Sequence, residues 1–161
     1  MLAGLITIQT IVYDAWKLLT PEAIMDRWFS AAILLLITGF IWYFVKTKSN
    51  SVISYKSLLL ALIMTDLALA SFYAYNTRGM ASRAVILFVL PILISALSRS
   101  KRAVITTALL ATIIYAVTSF AYFTLNFNEG YKVELYGEVG FYSAILMIIA
   151  WLTAAVLNIK K

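Results

Sequence analysis

The sequence predicts an all-α polytopic membrane protein, a bundle of about six transmembrane helices in a single membrane-embedded domain over residues 1–161. Three observations carry that expectation. Of the 161 residues, 63% are hydrophobic and 12% charged, about half the charged fraction of a soluble domain. The apolar residues come in runs as long as a bilayer is thick. The charges gather in short clusters between those runs.

Residues 2–19 carry Thr7, Thr10, Asp14 and Lys17 at steps of three and four, a helical polar stripe. At 1.5 Å per residue such a helix reaches about 27 Å, short for a bilayer. It reads either as an amphipathic anchor in the interface or as an upright helix with its stripe against the bundle, and the upright placement is preferred. Thr20-Pro21-Glu22 is a helix start: Thr at the N-cap, Pro where a missing N–H costs nothing, Glu near the positive end. The second span covers 21–45, with Trp28 and Trp42-Tyr43 at headgroup-belt positions. A short basic loop with Lys46, Lys48 and Lys56 leads to a third span at 57–75.

A turn around Gly79 joins this span to a fourth at 83–97, interrupted by Pro91, which frees the carbonyl of Leu87 and kinks the helix. The basic turn Arg99–Arg102 precedes a fifth span at 103–123, whose Ala108, Ala111, Thr112, Ala116 and Ser119 form a small-residue face suited to close helix contact. A loop from Thr124 to Gly137 then leads to a sixth span at 138–157. No internal repeat is evident. No cleavable signal peptide is expected, since no basic segment precedes the first apolar run.

Orientation follows from the cations. Lys46, Lys48, Lys56, Arg99, Lys101, Arg102, Lys160 and Lys161 fall on one side with no acid among them. Lys17, Arg27, Arg78, Arg83 and Lys132 fall on the other, with Asp14, Glu22, Asp26, Glu129, Glu134 and Glu138. The cation excess places the first set, and the C-terminus, in the cytoplasm of a multi-pass membrane protein. The net charge of +6 does not point to a nucleic-acid partner, because the cations do not line one polar face.

The chain contains no cysteine and no histidine, which removes thiolate ligands, disulfides and the commonest general base and metal ligand. No catalytic residue, metal site or cofactor is expected, and the chain as it stands reads as non-enzymatic. The sharpest candidate is Asp66, mid-span in the third helix. An ionised carboxylate there costs at least about 2.5–3.5 kcal/mol on insertion scales, so it faces the bundle, as a ligand or switch group or as a protonated acid bonding two helices. Thr65, Ser95, Tyr115 and Ser119 are its expected hydroxyl neighbours, and Arg83 reaches part of the way. Pro91 is a hinge candidate. Arg78, Glu129, Tyr131, Glu134, Tyr136 and Glu138 form a second, outer-loop group that either receives a ligand or simply solvates the connector.

An acid in the third span (Asp66), then YNTRGMAS, then LFVLPILISAL with a basic turn, then an apolar helix bearing a tyrosine, resembles the multi-span membrane input region of bacterial sensor histidine kinases. Asp66, Gly79, Ser82 and Pro91 match that pattern, over about residues 58–123, the last helix in position only. The departure is the absence of any histidine, hence of a phosphoacceptor. The resemblance implies the membrane module of a two-component system without its kinase domain, sensory and usually dimeric. The expected function is therefore a sensory, signal-input module in the lipid bilayer, which the resemblance implies is a bacterial inner (plasma) membrane. It would detect a stimulus at its outer loops or within the bundle, and relay it to a cytoplasmic signalling partner or a missing C-terminal domain. The alternative is a small transport component, such as the substrate-binding subunit of an uptake system, or a structural subunit of a membrane complex.

Overall fold

The computed structural model describes residues 2–16, 21–48, 52–77, 83–126 and 132–159. Every regular element among them is helical: α1 (Leu2–Ala15), α2 (Pro21–Lys48), α3 (Val52–Asn76), α4 (Val89–Ser95), α5 (Lys101–Asn126) and α6 (Lys132–Ile159), with 3-10 turns at Arg83–Phe88 and Ala96–Ser98 flanking α4. The all-α fold class read from the sequence is the one observed. Three helical stretches are long and apolar enough to cross a membrane, Tyr55–Asn76, Lys101–Asn126 and Val133–Leu157. At 22 residues even the shortest reaches about 33 Å, against about 30 Å of hydrocarbon. Arg27–Ile37 and Ala84–Ser98 add shorter apolar stretches. The chain is a membrane protein.

It divides into two units, Met1–Tyr55 and Lys56–Lys161. In the first, α1 packs along α2. The 14 residues of α1 reach about 21 Å, shorter than the expected span over 2–19. Its polar stripe is buried at Thr10 and exposed at Asp14, and it meets α2 at the latter. Thr10 is buried, and the Asp14 carboxylate accepts the indole N–H of Trp28 at 3.3 Å. Trp28, placed by sequence at a headgroup belt, thus also ties α2 to α1. The basic loop expected at 46–56 is largely helix, since α2 runs through Lys48 and α3 begins at Val52.

The second unit holds one continuous hydrophobic core, with Leu67, Ala70 and Ala74 from α3, Phe88 and Ile92 from the segment around α4, Ala108, Ala111 and Tyr115 from α5, and Leu146 and Ala150 from α6. On α5 the buried positions Val104, Thr107, Ala108, Ala111, Tyr115, Thr118, Ser119 and Phe123 recur at three and four, one face of a helix. The small-residue face is therefore used for packing, Ala108, Ala111 and Ser119 being fully buried. On α6, Leu135, Val139, Leu146, Ala150 and Ala154 do the same at mostly four-residue steps.

The loop expected over 124–137 is much shorter. Helix α5 continues to Asn126 and α6 starts at Lys132, six residues before the expected start. Leu135 and Val139, one turn apart, are both buried, and this apolar burial outweighs the turn tendency of Gly137. Glu134 falls in the first turn of α6, where a carboxylate is favoured by the helix dipole.

The fourth element departs from a plain α-helix. Pro91 lies in the first turn of α4, where amide hydrogens have no intrahelical acceptor and proline costs nothing. An α-helix carried back through Leu87 would clash with the proline ring and lose a hydrogen bond, about 3 kcal/mol or more. The chain instead winds as a 3-10 helix from Arg83 to Phe88. The interruption expected at Pro91 thus takes the form of a change of helix type. The 3-10 rise of about 2.0 Å per residue, against 1.5 Å, also makes Ala84–Ser98 about 4 Å longer than an α-helix of the same residues.

The turn that follows is closed by hydroxyls. Ser98 Oγ donates to the Ser95 carbonyl at 2.7 Å and accepts the Ser100 N–H at 3.3 Å. Ser100 Oγ accepts the Ala103 N–H at 3.4 Å, the bond of an N-cap, ahead of α5. Between them Arg99 adopts the left-handed conformation, φ 53°.

Candidate functional site

The polar groups inside the second unit converge on Tyr115, at the middle of α5. Its ring is fully buried. The Phe88 ring, last in the 3-10 turn, meets it edge-on at 5.8 Å between centroids, and Tyr142 of α6 meets it edge-on at 6.1 Å. One turn further along α5 stands Ser119, also fully buried. The two hydroxyls approach each other without reaching hydrogen-bonding geometry, and Tyr115 OH, Ser119 Oγ and Thr112 Oγ1 are all buried without a partner. Each such hydroxyl costs about 1–3 kcal/mol while unsatisfied, and each can both donate and accept. The arrangement is suited to gripping a neutral polar group inside an apolar bundle.

Next to this spot, Ser71 Oγ on α3 and Thr118 Oγ1 on α5 lie 2.8 Å apart. Thr118 spends its single proton on the Ile114 carbonyl at 2.8 Å, so Ser71 is the donor of that pair. Nearer the helix ends, Tyr75 packs edge-on to Tyr122 at 5.6 Å, and Phe120 on Tyr136 at the same distance.

No family model, curated protein or solved structure matches this chain.

Of the residues singled out by sequence, Tyr115, Ser119 and the Pro91 segment come together, through Phe88. Asp66 is buried on α3, as expected. Its expected hydroxyl neighbours do not bond it: Thr65 donates to the Ala61 carbonyl at 2.8 Å, Ser95 to the Ile92 carbonyl at 2.6 Å, and the Tyr115 and Ser119 hydroxyls, which approach each other, make no hydrogen bond to it. The physical reason is local. A Ser or Thr hydroxyl in a helix reaches a carbonyl three or four residues back on its own turn before it reaches another helix. Arg83 opens the 3-10 turn. Of the outer group, Arg78, Glu129 and Tyr131 lie outside the described residues, whereas Glu134, Tyr136 and Glu138 are exposed on helix α6 rather than in a loop. Among the described residues no three metal-ligating side chains gather.

Sequence reasoning passed over Phe88, Ser71, Thr118 and Tyr142. The signal for the first was its spacing: Val85, Phe88 and Pro91 stand three apart, the period of a 3-10 helix.

Proposed function

We propose that the chain is a multi-pass signal-input module of a bacterial plasma membrane, with about six spans and a cytoplasmic C-terminus. It passes a stimulus to a cytoplasmic signalling partner or domain. One observation carries the reading: a helix divided into two windings at Pro91 leans, through Phe88, on a buried tyrosine whose hydroxyl has no partner. A site that gains hydrogen bonds when a ligand or a rearrangement supplies them, set against an element with two possible forms, is what a membrane input needs. The cation excess on the Lys46 and Arg99–Arg102 side supports the orientation. A homodimer is part of the proposal. It is supported by the exposed stripe Gly137, Gly140 and Ala144 on α6, where a Cβ built on either glycine meets nothing within 4 Å. Their small size is thus unused among the described residues and available to a second helix.

The test is a fusion of the chain, after Lys161, to a bacterial kinase catalytic domain with its response regulator. Tyr115→Phe, Asp66→Asn and Pro91→Ala are compared with the parent at matched membrane abundance. At least one variant locks the kinase output high or low. Output identical to the parent in all three overturns the reading. A periplasmic-activity reporter at the C-terminus stays inactive if the orientation is right.

A further inference from the structure

The segment Arg83–Phe88 is a 3-10 helix of six residues, longer than the three or four that this winding ordinarily sustains. Its own residues, RAVILF, do not require it, since all six are compatible with an α-helix. The requirement comes from Pro91 downstream, whose ring stands where the Leu87 carbonyl of an α-helix would lie. Burial favours the same winding: residues three apart fall on one line in a 3-10 helix, and Val85 and Phe88 are both buried while Ile86 between them is exposed. The α winding would give Arg83–Phe88 better-aligned hydrogen bonds and sacrifice the one at Leu87. The two windings thus trade packing against hydrogen bonding over the same six residues.

We propose that Arg83–Phe88 is a transmission element that interconverts between 3-10 and α winding, with Pro91 as its fixed boundary and the Phe88–Tyr115 contact as its latch. This rests on the signal-input reading and names the part of the module that moves. Conversion to α shortens the six residues by about 3 Å. With 20° less rotation per residue, it turns Val85 by about 60° relative to Phe88 and the whole segment by about 120°. The receiving end is a chain of edge-on rings: Phe88 to Tyr115 at 5.8 Å, Tyr115 to Tyr142 at 6.1 Å. A displacement of Phe88 therefore reaches α5 and α6 through side chains already in contact. Tyr115 can follow it, because no hydrogen bond fixes its hydroxyl.

The chain has no cysteine, so a pair of introduced thiols reports cleanly. Spin labels are placed by Ile86→Cys and Ile113→Cys, at positions exposed on the 3-10 segment and on α5, and their separation is measured by pulsed electron resonance in the full chain in lipid nanodiscs. Pro91→Ala, which removes the boundary, and Phe88→Ala, which removes the latch, are each expected to turn the residue 86 label by about 40° about the helix axis and slide it about 1 Å along that axis relative to Phe88, which moves the distance distribution or adds a second peak. Phe88→Ala keeps the proline and carries the test should Pro91→Ala not insert. A distribution unchanged from the parent overturns the proposal. A shift without any change in output of the kinase fusion overturns the signal-input reading and leaves the conversion standing.

Discussion

The hydroxyl of Ser71 donates to the hydroxyl of Thr118 across the α3–α5 contact, and Thr118 hands its own proton to the Ile114 carbonyl one turn back. The pair is a direct polar tie between these two helices, and its polarity follows from the proton that Thr118 gives to the Ile114 carbonyl. Replacing Thr118 with Val strips Ser71 of its acceptor. In a double-mutant cycle with Ser71→Ala, followed by thermal unfolding in detergent, the coupling is expected at about 0.6 kcal/mol and no more than about 1.7 kcal/mol. A coupling of zero would show that the two hydroxyls do not meet in the membrane.

Tyr115 invites the opposite experiment. Its hydroxyl is buried without a partner, so Tyr115→Phe removes a desolvated group and keeps the ring between Phe88 and Tyr142. Stability is expected to hold or rise by up to about 1 kcal/mol. Tyr115→Ala, which empties the centre of the core, is expected to cost about 3–5 kcal/mol. If Tyr115→Phe itself costs more than about 1.5 kcal/mol, the hydroxyl has a partner and the site is satisfied from within.

Asp66 separates stability from function. Asp66→Leu removes a carboxylate that carries an insertion cost of at least about 2.5–3.5 kcal/mol, so its unfolding midpoint is expected above that of the parent. Asp66→Asn is expected to change stability by less than about 1 kcal/mol. Under the signal-input reading both lose the response of the kinase fusion. A large loss of stability in Asp66→Asn, with response retained, would make Asp66 a structural bridge.

The turn before α5 tests two local rules. Ser100→Ala deletes the N-cap bond to Ala103 and is expected to cost about 1 kcal/mol, whereas Ser100→Asp keeps it. Arg99, with φ 53°, occupies a conformation that costs an L-residue about 1–2 kcal/mol. Arg99→Gly is therefore expected to raise the unfolding midpoint, and Arg99→Val to lower it.

The parts legible in the sequence were those set by long apolar runs and by turn chemistry. Three spans read from hydropathy recur in the structure, as does the start of α2 at Pro21 and the small-residue face of α5. Boundaries were missed where burial of a few side chains overruled local tendency. Leu135 and Val139 pull α6 outward past Gly137, so Glu134, Tyr136 and Glu138 stand on a helix. The centre of the candidate site was half legible. Tyr115, Ser119 and Pro91 stand out by type, but the partners that give them meaning, Phe88, Thr118 and Ser71, are ordinary residues of apolar helices. Only the packing of one helix on another brings them together. Asp66 shows the converse: a conspicuous residue whose expected hydroxyl neighbours bond elsewhere.

Between the 3-10 cap Ala96–Ser98 and the first residue of α5 stand only Arg99 and Ser100, laced by the hydroxyls of Ser98 and Ser100. Such a linkage has no slack. Any axial slide of the proline-bearing rod past its neighbour must either tear those bonds or drag the start of α5 along, so the two behave as a crank and its connecting arm rather than as separate pistons.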